Sequence, residues 1–234
     1  MFIAGFPAGS LAANCYLVAS EPGAGCVIID PGGDALEQIL GTVAEHRLVP
    51  RAAILTHGHL DHAASLQTVT RHFDIPGYIH MADEYMLDDP LSALSPQLRM
   101  MLADLPIPAM RPAELRYLER FGTVTFDDLT LFVEHTPGHT GGSVVLRLAG
   151  DDGRPVVLFT GDTLFAGSVG RTDLPGGSVA ELDASLRRSV LTQADDAIVL
   201  PGHGPRSTIG AEKAATPFLI PLIRAGRGTA ASGT

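Results

Sequence analysis

Six consecutive residues, His57-Gly58-His59-Leu60-Asp61-His62, constrain this chain more than any other stretch. They place three imidazoles and a carboxylate in one short piece of backbone. Packed together without a cation, such groups repel one another or lose hydration they cannot replace. Imidazole suits zinc, copper, iron and nickel, and carboxylate adds a hard oxygen. A fold that accepts this segment has to gather these groups around positive charge.

Three further positions repeat one local grammar. His57 follows the apolar run Ala52–Leu55. His139 follows Leu129–Glu134, within Thr136-Pro137-Gly138-His139-Thr140-Gly141-Gly142. Asp162 follows Val156–Thr160, and His203 follows Ala197–Leu200. In each case a β-rich run is succeeded by a small residue and then a candidate ligand. Open α/β sheets keep their sites at the carboxyl ends of strands, so this spacing sends all the ligands to one edge. Gly58 gives the backbone freedom to bend between two imidazoles.

The 234 residues suffice for a substantial single core. A 45% apolar and 18% charged composition is that of a globular chain, not a disordered one. The net charge of -10, with no Lys/Arg cluster, argues against nucleic acid as a partner. A small-molecule substrate is expected instead; nothing in the pattern fixes an oligomeric state. Cys15 and Cys26 both sit in apolar runs and read as reduced, buried thiols on neighbouring strands. The first charged side chain is Glu21, unlike the basic start of a signal peptide, and no apolar run matches a membrane span. The expectation is a cytoplasmic protein with no membrane partner.

Strands come first as meanders and then alternate with helical patterns, which predicts mixed sheets covered by helices. Asp34 with Glu37, and Ser178 with Glu181, read as capping pairs ahead of amphipathic helices. A third helix is predicted from about Asp61 to Phe73, with Leu66, Val69 and Phe73 inward. The order β-β-α-β-α is partly echoed after residue 120, so the two halves are expected to face each other. The Pro- and Met-rich stretch from Asp83 to Leu118 reads as a broken helical excursion, either a connector or a substrate wall. One domain is expected over 1–225, with a flexible tail at 226–234.

The set H-x-H-x-D-H with His139, Asp162 and His203 resembles the metallo-β-lactamase superfamily over nearly the whole chain. The resemblance implies an α/β fold, a four-layer αββα sandwich with two mixed sheets. It implies two divalent metal ions, zinc first, with iron or manganese as alternatives. His57, His59 and His139 would hold one ion, Asp61, His62 and His203 the other, and Asp162 would bridge them. Two metals roughly 3.5–4 Å apart can share a hydroxide, which points to hydrolysis of an acyl compound. Asp61 and Asp162 are the candidate catalytic carboxylates, Asp61 as a proton shuttle.

The run Gly161-Asp162-Thr163-Leu164-Phe165-Ala166-Gly167-Ser168-Val169-Gly170-Arg171-Thr172-Asp173 resembles the glyoxalase II-like branch, in particular its short bacterial hydroxyacylglutathione hydrolases. That implies cleavage of a 2-hydroxyacyl thioester, whose thiolate leaves with little help from an acid. Arg171 is the candidate substrate contact, for a carboxylate, or else a structural partner of Asp173. Long glyoxalase II members carry a C-terminal helical extension that helps bind glutathione, and only about thirty residues follow His203 here; either a different small thiol is the carrier or the acyl group is recognised instead. Gly170-Arg171-Thr172-Asp173 also resembles mononuclear iron persulfide dioxygenases, in which His57, His139 and Asp162 would form a facial triad. A lactonase or other ester hydrolase is a further alternative. Zinc β-lactamases generally lack a counterpart of Asp162.

Overall fold

Alternate residues of the same strands face different layers, and this period of two builds the molecule. On β2 (Ala13–Ala19) and β3 (Gly25–Ile29), Val18, Val27 and Ile29 point to one core, while Leu17, Cys26 and Ile28 point to another. Strands buried on both faces in this way have to lie between a second sheet and a layer of helices. The computed structural model describes residues 1–102, 104, 106–150 and 155–230. Within them two six-stranded sheets stack face to face, each covered by helices on its outer side.

The first sheet runs in chain order from β1 (Phe2–Ala8) through β2, β3, β4 (Val49–Ile54) and β5 (Gly77–His80) to β6 (Leu115–Leu118). Its first three strands form an antiparallel meander and the rest are parallel. Between them lie helices α1 (Leu36–His46), α2 (Leu60–Ala63), α3 (Leu66–Phe73) and α4 (Pro96–Leu102). The second sheet contains β7 (Phe121–Phe126), β8 (Leu129–His135), β9 (Val144–Leu148), β10 (Val157–Gly161), β13 (Ile198–Pro201) and β14 (Ser207–Thr208). A two-residue ribbon, β11 (Leu164–Phe165) with β12 (Ser168–Val169), stands beside it. Helices α5 (Val179–Ser185), α6 (Ile209–Ala215) and α7 (Leu219–Ala230) cover its outer face. The echo between halves is visible in the sheets, since each has a meander followed by a parallel crossover.

Between the sheets Val18, Val27, Ile29 and Ile54 meet Leu131, Val133, Leu146 and Phe159. Cys15 and Cys26 are free and buried on adjacent strands, facing the helices. Cys15 pairs in register with Phe6, and Cys26 with Ala19, four residues further along β2. That offset is about 13 Å along a strand, beyond disulfide reach.

Two local expectations differ from the structure. Ser178 does cap α5, accepting from Glu181 N at 3.3 Å. Asp34 does not cap α1; it adopts a left-handed φ of 55°, and Ala35 occupies the cap position. The helix expected from Asp61 to Phe73 is broken at Ser65, whose N–H donates to Pro31 O at 3.0 Å instead of continuing the helical ladder. This break ties the His-rich segment to the end of β3. The excursion after β5 consists of two 3₁₀ turns, Met81–Leu87 and Pro90–Ala93, followed by α4. Arg111 staples it with charged contacts to Glu84 and Asp88. Helix α7 continues to Ala230, so of the tail expected over 226–234 only residues 231–234 lie outside the described residues. Among the described residues no helix is long and apolar enough to cross a membrane.

Phe159 is fully buried between the sheets, edge-to-face with Tyr16 at 5.3 Å between ring centroids. Phe159→Ala is expected to cost about 3–5 kcal/mol of stability, read from the denaturant midpoint. A loss below about 1 kcal/mol would contradict this packing.

Candidate metal centre

The strand ends deliver the seven predicted residues to one edge of the sandwich. His57 and His59 leave the carboxyl end of β4, and Asp61 and His62 stand in the first turn of α2. His139 lies in the turn between β8 and β9, Asp162 just after β10 and His203 just after β13. Their ligand atoms form overlapping groups of three, each group with atoms within 4.8 Å of one another. The groups are His57, His59 and His139; His57, His62 and Asp162; and Asp61, His62 and His203. Asp162 spans the cluster, with Oδ1 3.4 Å from His62 Nε2 and Oδ2 3.6 Å from His139 Nε2 and 3.8 Å from His203 Nε2.

The outer nitrogens of three imidazoles are already committed. Thr56 donates its hydroxyl to Asp30 Oδ2 at 2.6 Å, so it accepts from His57 Nδ1–H at 3.1 Å. His62 Nδ1 lies 3.0 Å from Asp30 Oδ2, and a carboxylate can only accept there. His139 Nδ1 donates to Arg171 O at 2.8 Å. The Nε2 atoms of His57, His62 and His139 therefore face inward, toward the cluster. There the ring nitrogens crowd one another. His139 Nε2 is 3.0 Å from His59 Nδ1, and His62 Nε2 is 3.2 Å from His203 Nε2. His57 Nε2, His59 Nε2 and Asp162 Oδ1 are buried with no hydrogen-bond partner. Orphaned acceptors of this kind need a cation among them. The donor set of imidazole nitrogens and carboxylate oxygens fits divalent ions of the zinc and iron class.

The electrostatics of the cluster make the same demand for positive charge. Burial, reinforced by the neighbouring imidazoles, pushes His57 well below its ordinary value and His59 down to about 4. Both are neutral ligands at physiological pH. Burial also acts against His62, yet Asp162 and Asp30 together hold it well above the ordinary value. Burial acts against the ionised Asp61 and Asp162, and the surrounding imidazoles nonetheless hold both carboxyls low. The cluster keeps its carboxylates ionised and draws protons to His62 and His203.

Exposure divides the site. His57, His59, His62 and His139 are buried, whereas His203 keeps 30% and Asp61 21% of its side-chain surface. The cleft thus opens on the Asp61 and His203 side. Gly202, beside His203, is demanded by close approach: a Cβ there would lie 2.2 Å from Asp162 Oδ1. Arg171 is placed near the cluster through its carbonyl, while its guanidinium is engaged with Asp173 through two contacts of 2.7 Å. His135 supports the His139 turn, with Nε2 2.8 Å from Gly141 O, and stacks on His80 at 4.0 Å.

Sequence reading did not assign four supporting side chains, Asp30, Asn14, Tyr16 and Asp83, to the site. Asp30 ends β3 at a left-handed φ of 50°, a strained conformation that places its carboxylate on Thr56 N, Thr56 Oγ1 and His62 Nδ1. Asn14 Nδ2 donates to Pro201 O and Gly204 O, bracketing His203, and Tyr16 Oη donates to Pro201 O. Asp83 reaches both loops of the first histidine group. An aspartate after an apolar strand was a readable signal for Asp30; Asn14 and Asp83 carry none.

Asp30→Ala would leave Thr56 N–H and the His62 ring without partners. Metal affinity is expected to fall about 10–100-fold in chelator competition, with the protein still folded by circular dichroism. Unchanged affinity would show that Asp30 does not orient His62.

The comparisons agree with this geometry. The Metallo-beta-lactamase superfamily model matches residues 8–203. A hydroxyacylglutathione hydrolase from Haemophilus influenzae is 32% identical over 214 residues, covering 91% of this chain and 95% of that protein. A solved B3 metallo-β-lactamase is 36% identical, with a TM-score of 0.78 over 93% of this chain and 99% of its own. A protein solved in a di-iron-bound form is also 36% identical, with a TM-score of 0.75 over 94% and 100%. With its αββα layers and its His/Asp cluster at the strand ends, the chain belongs to the metallo-β-lactamase superfamily.

Proposed function

We propose that this protein is a dinuclear metal-dependent hydrolase that cleaves the thioester of a 2-hydroxy acid, in the manner of glyoxalase II. The observation that carries the reading is the paired convergence of His57, His59 and His139 with Asp61, His62 and His203 around Asp162. The first group would hold one ion and the second the other, with Asp162 between them. Zinc is the first candidate; iron is the alternative supported by the di-iron relative. When bound, two divalent ions supply a water deprotonated at neutral pH and polarise the acyl carbonyl.

The chain contributes position and proton handling. Asp30, Thr56 and the Arg171 carbonyl fix ring orientation, so the ligand nitrogens need no reorganisation. Asp61, whose Oδ2 lies 3.1 Å from His203 Nε2 on the open side, would act as the proton shuttle. A thiolate leaving group needs little protonation, and no other acid is required of the cleft. The Haemophilus relative supports the thioester reading over the persulfide dioxygenase, because Asp61, His62 and His203 converge as closely as the other groups. The B3 β-lactamase relative brings β-lactam hydrolysis, which the sequence argument had set aside, into the set to be tested. The free buried cysteines accord with a reducing cytoplasm.

Elemental analysis of the purified protein, with turnover of 2-hydroxyacyl thioesters, lactones, a β-lactam and a persulfide under oxygen monitoring, tests this. Two metals per chain and the highest kcat/KM on a thioester are expected. One iron per chain with oxygen uptake would overturn the reading, and so would preference for the lactam or lactone.

Arg171 is proposed to bind a substrate carboxylate when its pair with Asp173 opens. Arg171→Ala should then raise KM about tenfold for acidic thioesters and leave neutral ones nearly unchanged. Equal changes for both would assign the side chain to its Asp173 pair.

A further inference from the structure

We propose that Asp83, which is no metal ligand, is the positioning residue that sets the distance between the two loops of the first histidine group. The inference rests on the metal-holding reading of that group. Asp83 belongs to the 3₁₀ turn Met81–Leu87, outside both sheets, and its side chain is fully buried. Its Oδ2 accepts from Gly58 N at 3.0 Å and from Thr140 Oγ1 at 2.6 Å, and its Oδ1 accepts from Gly142 N at 2.7 Å. Gly58 stands between His57 and His59, and Thr140 directly follows His139. One carboxylate therefore spans both segments that carry this group, and among the described residues no cation pairs with it.

The chain has been shaped around this contact. A Cβ on Gly142 would lie 2.5 Å from Asp83 Cγ, and one on Gly58 would lie 2.9 Å from Asp83 O and 3.0 Å from Met86 Sδ. The glycine of His57-Gly58-His59 thus leaves room for Asp83 as well as allowing the bend. Thr140 is itself fixed, with Oγ1 2.8 Å and N 3.1 Å from Ser143 Oγ. A buried carboxylate without a counter-charge is retained only where several donors converge on it, and here three do. All three come from the first group's loops. The second group leans on Asp30, Asn14 and Tyr16 instead. Asp83 should therefore govern one ion position and spare the other.

A scaffold residue with no positioning role would not discriminate between the two positions, and single-site proteins expose the difference. His203→Ala leaves the first group intact, and His59→Ala leaves the second. Cobalt(II) affinity is measured by chelator competition in each background, with and without Asp83→Asn. In the amide one acceptor oxygen becomes an NH₂ facing a donor. The expected result is a 10–100-fold loss in the His203→Ala background, at about the magnitude of a lost second-shell partner. In the His59→Ala background a change below about threefold is expected. Equal losses in both backgrounds, or no loss in the first, would overturn the proposal. Thr140→Val removes one donor and keeps the carboxylate, so it serves if Asp83→Asn does not fold. It should give a smaller loss confined to the first group, with affinity restored in Thr140→Ser; a loss that Ser does not restore counts against Asp83. If the otherwise unaltered protein binds no cobalt, the metal reading itself fails and takes this proposal with it, an outcome distinct from an unselective loss.

Discussion

Ring nitrogens held 3.0 and 3.2 Å apart inside a protein need a proton or a metal ion between them. The rest of the site follows from that constraint. A proton can satisfy one such pair, and the neighbouring carboxylates raise the proton affinity of His62, against its burial, and of His203. Divalent ions held by these residues would satisfy such contacts together with the orphaned acceptors of His57, His59 and Asp162. Burial makes the demand severe, because His57, His59 and His62 have almost no contact with water.

The architecture meets this demand through rigid strand ends. Parallel crossovers in both sheets bring β4, β10 and β13 out at one edge, where short turns present the ligands. Behind them sits a layer of supports with separate duties. Asp30 orients His62, and through Thr56 also His57. Asn14 and Tyr16 hold the His203 turn from the neighbouring sheet. The carbonyl of Arg171 fixes His139, so the glycine-rich loop contributes through its backbone before its side chains are considered.

The sequence made the ligands legible because coordination is local in grammar: a strand, a small residue, a ligand. It made the layers legible because burial on both faces leaves continuous apolar runs. It could not show the supports at Asp83 and Asn14. Asp83 is one acid in a Pro- and Met-rich excursion, and nothing near it in sequence says that it meets residues at positions 58, 140 and 142. Asn14 acts on a turn 187 positions away. The local capping rule misled at Asp34 because its backbone takes a left-handed turn out of the Asp30–Gly33 loop, and no pairwise pattern encodes that. The helix break at Ser65 was invisible for a similar reason: its N–H has a tertiary acceptor, Pro31 O, that outcompetes the local one.

The unequal exposure of the two groups gives them unequal tasks. The His57, His59 and His139 side is sealed and held by Asp83, which suits an ion whose ligand geometry should not change during a reaction. The Asp61 and His203 side is open, and its support comes from strand β2 through hydrogen bonds to the turn on either side of His203. A substrate entering there would meet Asp61, and the Arg171–Asp173 pair is exposed as well. That pair is neutral as a unit, so a bound carboxylate has to compete with Asp173 for the guanidinium. Such competition lowers affinity for acidic ligands in general and favours only those whose remaining groups are anchored deeper in the cleft.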